Sequence, residues 1–349
     1  MTQTQLQMSD LYERLDAIGF PKKYLQNKIL PDWWTDDVDA TSGVLVEGAL
    51  YLSRRLNLDM RSLLGTDTKP VFEVACQPKF KLKVGTNKEQ LMIPRALSAR
   101  IAEMIAYACL QPYQAIDGLS VADIRQQILA KQEVIDLEGV LDFCWQCGIP
   151  VIHFSEFPSG VHKFHGMVAY FYQRPVILVS LKDLSPARLL FIIAHELGHI
   201  LKGHIDSEGI LVDESIELES SDTEESEANQ LAAELLLGKS GISYDLWQKF
   251  VSGDQLASQA EEWGNRDRVS AGVVALNIDW NRANRVSDPK DKGIIWATAK
   301  NALKVLEPSP NAPQQINHYL AANLDWEKLG EENQDYLATM LALNLEAVG

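Results

Sequence analysis

The chain has 349 residues, 46% of them hydrophobic and 23% charged, with a formal net charge of −16. That is the composition of an ordinary soluble globular protein with room for two or three domains. The acidic balance excludes a chain that wraps nucleic acid along its whole length. No apolar run reaches the roughly 18–20 residues of a membrane span. The first thirty residues also lack the basic and apolar segments of a secretory signal, so the chain reads as cytoplasmic with no membrane partner.

Residues 1–70 read as short helices, SDLYERLDAIGF, PKKYLQNKIL and VLVEGALYLSRRLNLDMRSLL, punctuated by Pro21, Pro31 and the turn-like DATSG. Residues 71–137 form a connecting region. It opens on a strand-like, Lys-rich patch, FEVACQPKFKLKVG, and continues in an amphipathic helix from about Pro94 to Leu110 and a further helix at VADIRQQILA. LEGVLDFCWQC predicts another helix, closed by Gly148. From Ile149 the period changes. IPVIHF reads as a strand, and HGMVAYFY and RPVILVSL read as two more, joined by a hairpin at Gln173-Arg174-Pro175. Ser185 and Pro186 then mark a helix start, as N-cap and first helical residue, and Gly203 marks its end. The next helix opens at a capping-box pattern from Ser221 to Glu224 and runs through ESEANQLAAELLL to Gly238. Residues 241–349 are helix-rich, with a proline-rich break at EPSPNAP.

Four cysteines, Cys76, Cys109, Cys144 and Cys147, are too sparse for a disulfide framework. The pair Cys144-Trp-Gln-Cys147 sits at a helix C-terminus, the wrong end for a reactive thiolate, and no second Cys/His pair follows to complete a zinc knuckle. It reads as two small apolar side chains. Between Asp206 and Glu227 stand ten Asp/Glu and no Lys or Arg, which reads for the most part as a solvated loop.

The chemistry concentrates in IIAHELGHIL, residues 192–201. On a helix His195 and His199 lie one turn apart on one face and can present two ring nitrogens to a single zinc ion. Glu196, rotated about 100° from His195, falls beside the metal, where it can take a proton from an activated water. This is the H-E-x-x-H arrangement of metallopeptidases. A third protein ligand is needed. The position ten residues after the first histidine is Ile205, so a third histidine at that spacing is absent, and His204 reads as a helix-end residue. The following helix offers Glu224, Glu225 and Glu227. Glu225 shares a face with Ala228, Asn229 and Ala232, which combines a carboxylate, a supporting carboxamide and small residues for close helix approach; Glu227 is the alternative.

These residues resemble the ImmA/IrrE-type metallopeptidases: His195-Glu-Leu-Gly-His199 on one helix, and Glu225-Ser-Glu-Ala-Asn229 followed by Gln-Leu-Ala-Ala-Glu-Leu-Leu on the next, with a β-hairpin upstream. The convincing match covers about 138–240, with a weaker echo at RDRVSAGVVALNI. The family's proline after the second helix is replaced here by Gly238. The resemblance implies an α+β, zincin-like core at 138–240 and a zinc-dependent endopeptidase that cuts a regulatory protein of repressor or antitoxin type. His195, His199 and Glu225 become the Zn2+ ligands and Glu196 the general base. His162, His165 and Tyr170 are candidates by chain proximity alone for stabilising the transition state. The N-terminal LPDWWTDD and EGALYLSRRLNLDMRSLLG are similar to a phage-repressor helix-turn-helix. Yet residues 1–70 hold eight Lys/Arg against ten Asp/Glu, which favours a protein contact over direct nucleic-acid binding. The hairpin edge is expected to hold substrate as an added strand. The competing expectation is a non-catalytic transcriptional regulator with a structural zinc site.

Overall fold

The computed structural model describes residues 6–34, 42–65, 69–73, 79–81, 88–206, 209–214, 216, 222–238, 244–246 and 251–344. The fold is α+β, with helices before, within and after a five-stranded sheet. At the N-terminus α1 (Met8–Asp16) buries Met8, Leu11, Tyr12 and Leu15, the one-face spacing of an amphipathic helix. Helix α2 (Lys22–Tyr24) continues into a single π-type turn, Leu25–Ile29. The stretch expected as one helix from Val44 to Leu64 is two, α3 (Ser42–Leu56) and α4 (Met60–Leu64). The break has a local cause: Asn57 turns left-handed (φ 53°) and the Asp59 side chain caps α4 by accepting from Ser62 N at 2.6 Å. Trp33 is 52% exposed, whereas Trp34 is half-buried against Gly48 and Tyr51.

Strand β1 (Lys79–Lys81) precedes α5 (Met92–Ala108), α6 (Val121–Leu129) and α7 (Leu137–Gln146). Asp136 caps α7, and Gly148 follows its end at φ 70°. Cys144 and Cys147 are buried, and burial raises both thiols, the reverse of an activated pair. Cys76 lies outside the described residues.

Strands β2 (Val151–His153), β3 (Gly166–Phe171) and β4 (Arg174–Val179) lead into α8 (Pro186–Lys202). The hairpin turn falls at Tyr172 and Gln173, both left-handed at φ 53° and 59°, so Arg174 and Pro175 already belong to β4. Two consecutive positive φ values give the turn the twist that adjacent antiparallel strands need. Helices α5 and α8 both pack on β3 and β4, and the strands are buried on both faces, hence their unbroken apolar runs.

The acidic stretch after α8 is not all loop. Gly209 introduces β5 (Ile210–Asp213), four buried residues that pair antiparallel with β3 and parallel with β1. Sheet order is β1-β5-β3-β4-β2. Both strands of the hairpin therefore have neighbours on each side, β5 and β2, and the expectation that the hairpin offers a free edge to a substrate strand is wrong. Helix α9 (Thr223–Leu237) is capped by Asp222, which accepts from the backbone N of Glu224 (2.9 Å) and Glu225 (3.4 Å). Ser221, the expected cap, lies outside the described residues.

Beyond the sheet come α10 (Gly253–Asp267), α11 (Ala271–Asn284), α12 (Pro289–Leu306), α13 (Ala312–Ala322) and α14 (Glu331–Leu341). Helix α11 packs on α8 and α9. Helix α13 closes the β2 side: Asn317 accepts from His153 N and donates to His153 O, each at 2.9 Å. No helix among the described residues is long and apolar enough to cross a membrane.

Helices α8 and α9 pack against each other, and at Gly198 the backbone of α9 comes close. A Cβ added there would lie 3.0 Å from Ala228 O and 3.1 Å from Ala228 Cα, backbone atoms that cannot step aside. Gly198→Val is expected to cost about 1–3 kcal/mol by overpacking, read as a lower urea midpoint at unchanged slope.

Candidate metal centre

Helix α8 is built to carry polar groups into a dry place. Ser185 caps it through Arg188 N (3.3 Å), Pro186 presets its first turn, and Gly203 ends it in the left-handed region at φ 65°. Leu189, Ile193 and Leu197 are fully buried or nearly so. Each contributes about 1.5–3 kcal/mol of apolar burial, which holds His195, Glu196 and His199 at zero exposure.

The two imidazoles converge. His195 Nε2 and His199 Nε2 are 3.0 Å apart, and each ring is fixed from behind. His195 Nδ1 meets Asn229 Oδ1 of α9 at 3.0 Å. A carboxamide oxygen only accepts, so Nδ1 carries the proton and Nε2 is a bare lone pair. His199 Nδ1 meets His204 Nδ1 at 2.8 Å, and His204 Nε2 meets Glu227 Oε2 at 3.0 Å. With the carboxylate accepting from His204 Nε2, His199 Nδ1 donates in turn, and its Nε2 is likewise a lone pair. Two lone pairs face each other at hydrogen-bond distance, an arrangement that a cation between them stabilises. His204, read from sequence as a helix-end residue, is buried and belongs to this relay; Glu227 sits at its far end and away from the imidazole Nε2 atoms.

Glu225 approaches from α9, its Oε2 3.4 Å from His195 Nε2 and its Oε1 3.4 Å from His199 Nε2. Asp213, at the end of β5, approaches from the sheet: its Oδ2 is 3.8 Å from His195 Nε2 and 3.6 Å from His199 Nε2, and the residue is fully buried. His195, His199, Asp213 and Glu225 thus form a group whose four ligand atoms lie within 4.8 Å of one another. For metal–ligand bonds near 2.0–2.1 Å the edge of a tetrahedron is about 3.3 Å, and the observed separations cluster around that length. Sequence reasoning missed Asp213. Its signal was the apolar triplet Ile210-Leu211-Val212 after Gly209, which marks a strand inside an acidic run.

The electrostatics ask for the same cation. Burial, then the Asp213 and Glu225 carboxylates, raise the Glu196 carboxyl well above its ordinary range. Neither Glu196 oxygen meets a hydrogen-bond donor, although its carboxylate lies within reach of that of Asp213. Burial pushes the His199 imidazole down to about 4. Carboxylates of Asp213 and Glu225 buried together, with Glu196 against them, carry negative charge that costs several kcal/mol when uncompensated. The donor set, two nitrogens and carboxylate oxygens, fits a divalent ion.

Glu196 has a seat of its own. Gly166, the first residue of β3, faces it, and a Cβ built on Gly166 would overlap the carboxylate. The other predicted candidates are spread out. His162 pairs with Glu214 at 2.6 Å and is 42% exposed; His165 Nδ1 accepts from Ile216 N at 3.4 Å; both stand on the segment leading to Gly166. Tyr170 lies four residues further along β3, roughly 13 Å from Gly166 by strand rise, and is engaged with Tyr113, so it is remote from the imidazoles.

Residues 146–279 match the family model Peptidase_M78, described as the IrrE N-terminal-like domain. The chain carries an ImmA/IrrE-type domain. The matched span runs from the end of α7 through the sheet, α8, β5 and α9 into α11, so this domain contains all four potential metal ligands and Glu196. No curated protein and no solved structure matches the chain.

Two outcomes follow for the IrrE-like domain. Gly166→Ala is expected to displace Glu196 and lose about 1–3 kcal/mol of stability in urea unfolding. Asn229→Ala and His204→Ala, each of which frees one Nδ1, are expected to weaken metal binding by about 10–100-fold, measured by competition against a chromophoric chelator.

Proposed function

We propose that the chain is a zinc-dependent endopeptidase that hydrolyses a bond in a specific regulatory protein, with His195, His199 and Glu225 as zinc ligands and Glu196 as general base. Glu196 is the observation that carries this reading. A purely structural metal site has no use for a further carboxylate held dry beside the ligands, and a glycine at 166 keeps room for it. Zinc, when bound, supplies Lewis acidity that activates water and polarises a peptide carbonyl. Glu196 then accepts the water's proton and returns it to the departing amine. Asn229 and His204 keep both imidazoles in the tautomer that leaves Nε2 free. The family resemblance supports a DNA-binding repressor or antitoxin-like protein as substrate. So does charge: a chain at −16 is complementary to a basic partner of that kind.

The second reading, a regulator with a structural zinc, draws on Asp213, a fourth potential ligand that would complete a closed shell. The two readings part at Glu196. On the peptidase reading, Glu196→Gln keeps one equivalent of zinc and loses at least about 10²-fold in cleavage. His195→Ala, His199→Ala and Glu225→Ala lose the metal. New protein N-termini in cells expressing the wild-type chain but not Glu196→Gln would give the substrate. Identical N-termini in both, with the same zinc content, would favour the structural reading.

A further inference from the structure

Asp213 stands outside the two-helix clamp and yet faces it. It is in register with Gly166 across the β5–β3 pair, so the pairing that seats Glu196 against Gly166 also delivers the Asp213 carboxylate to the same spot. The two Nε2 atoms are 3.0 Å apart, each meets one Glu225 oxygen at 3.4 Å (Oε2 for His195, Oε1 for His199), and Asp213 Oδ2 stands 3.8 and 3.6 Å from them. All lie within roughly 0.5 Å of the edge of a tetrahedron drawn with bonds near 2.0–2.1 Å. Were all four residues ligands of one ion, a four-coordinate shell would have no position to spare.

A hydrolytic centre keeps one of those four positions for water and the substrate carbonyl. With His195, His199 and Glu225 supplied by α8 and α9, the remaining position points towards β5, and Asp213 is what lies there. Glu196 reaches the same place, since the carboxylate it touches is that of Asp213. The base is thus aimed at the position that Asp213 fills.

We propose that Asp213 is a displaceable fourth metal ligand, which closes the centre in the state described here and must leave before water and substrate can enter. This rests on the peptidase reading. Two features single out Asp213 as the ligand that leaves. Its distances to the two Nε2 atoms are the longest of the set, whereas Glu225 bridges both imidazoles evenly at 3.4 Å. It also belongs to the sheet, so its withdrawal leaves the packing of α8 on α9 undisturbed.

The test uses the full-length chain loaded with one equivalent of Co2+ and titrated with acetohydroxamate, followed in the visible spectrum of the metal, with zinc affinity measured in parallel. Asp213→Ala is expected to bind zinc at least about tenfold more weakly and to take up hydroxamate at about tenfold or more lower concentration than wild type. Asp213→Asn, which keeps the side-chain shape, is expected to follow in the same direction and serves if the alanine variant does not fold. Unchanged zinc affinity and an unchanged titration in both variants would remove Asp213 from the shell. Weakened zinc with no hydroxamate uptake in wild type even at saturation would make Asp213 a permanent ligand and overturn displacement. The peptidase reading fails separately, through a Glu196→Gln variant that still cleaves; these titrations contain no cleavage step.

Discussion

Everything in the IrrE-like domain is arranged around a concentration of charge that water cannot reach. Glu196, Asp213 and Glu225 lie with two imidazoles whose bare Nε2 atoms face each other at 3.0 Å. Desolvation makes such a group unstable on its own. It persists because three packed elements hold its members: α8 the histidines and Glu196, α9 Glu225, and β5 Asp213. The absence of a side chain at Gly198 brings the two helices close enough to share one ion, and Ala228 opposite it does the same from the other side. Packing of small residues and convergence of polar ones are one requirement, because the ligand atoms cannot meet unless the backbones do.

Helices and sheet divide the work. The helix pair supplies His195, His199 and Glu225 and both groups that fix the imidazole tautomers, Asn229 directly and Glu227 through His204. The sheet supplies Gly166, which leaves space for the Glu196 carboxylate, and Asp213, in register with it across β5 and β3. With β5 and β2 on either side of the hairpin, the sheet acts as a wall at the site and offers no edge there for a strand to join.

What was legible in the sequence follows from the range of the interaction concerned. Ser185, Pro186 and Gly203 bound α8 through contacts a few residues long, so the helix and its His195–His199 face could be read directly. Asn229 and Glu225 were legible for the same reason, as neighbours on one helical face. Asp213 was not. Its strand is only four residues, lies within an acidic run, and becomes a strand by pairing with residues more than forty positions away. His204 escaped because five residues from His199 is out of helical phase, and only the left-handed turn at Gly203 brings it back beside the ring. The third N-terminal helix was read as one because Asn57 carries no strong breaker signal, whereas its left-handed backbone divides it in two.

Charge balance connects the two roles assigned to neighbouring carboxylates. A divalent ion is neutralised by two ionised carboxylates, and with Glu225 and Asp213 in the shell the account is closed, leaving an ionised Glu196 as an excess negative charge in a dry site. Uptake of a proton by Glu196 removes that excess. Protonation of Glu196 in the closed state is therefore favoured by the same burial that makes the cluster costly, and the favour is greatest where solvent is excluded most completely. Glu196 is fully buried, against a strand residue with no side chain to crowd it. A base placed at the rim of the cluster would hold its charge in water and gain nothing from protonation. The position of Glu196 directly after His195, inside the helix and turned towards Gly166, suits a carboxylate at this site to the proton-accepting role proposed above.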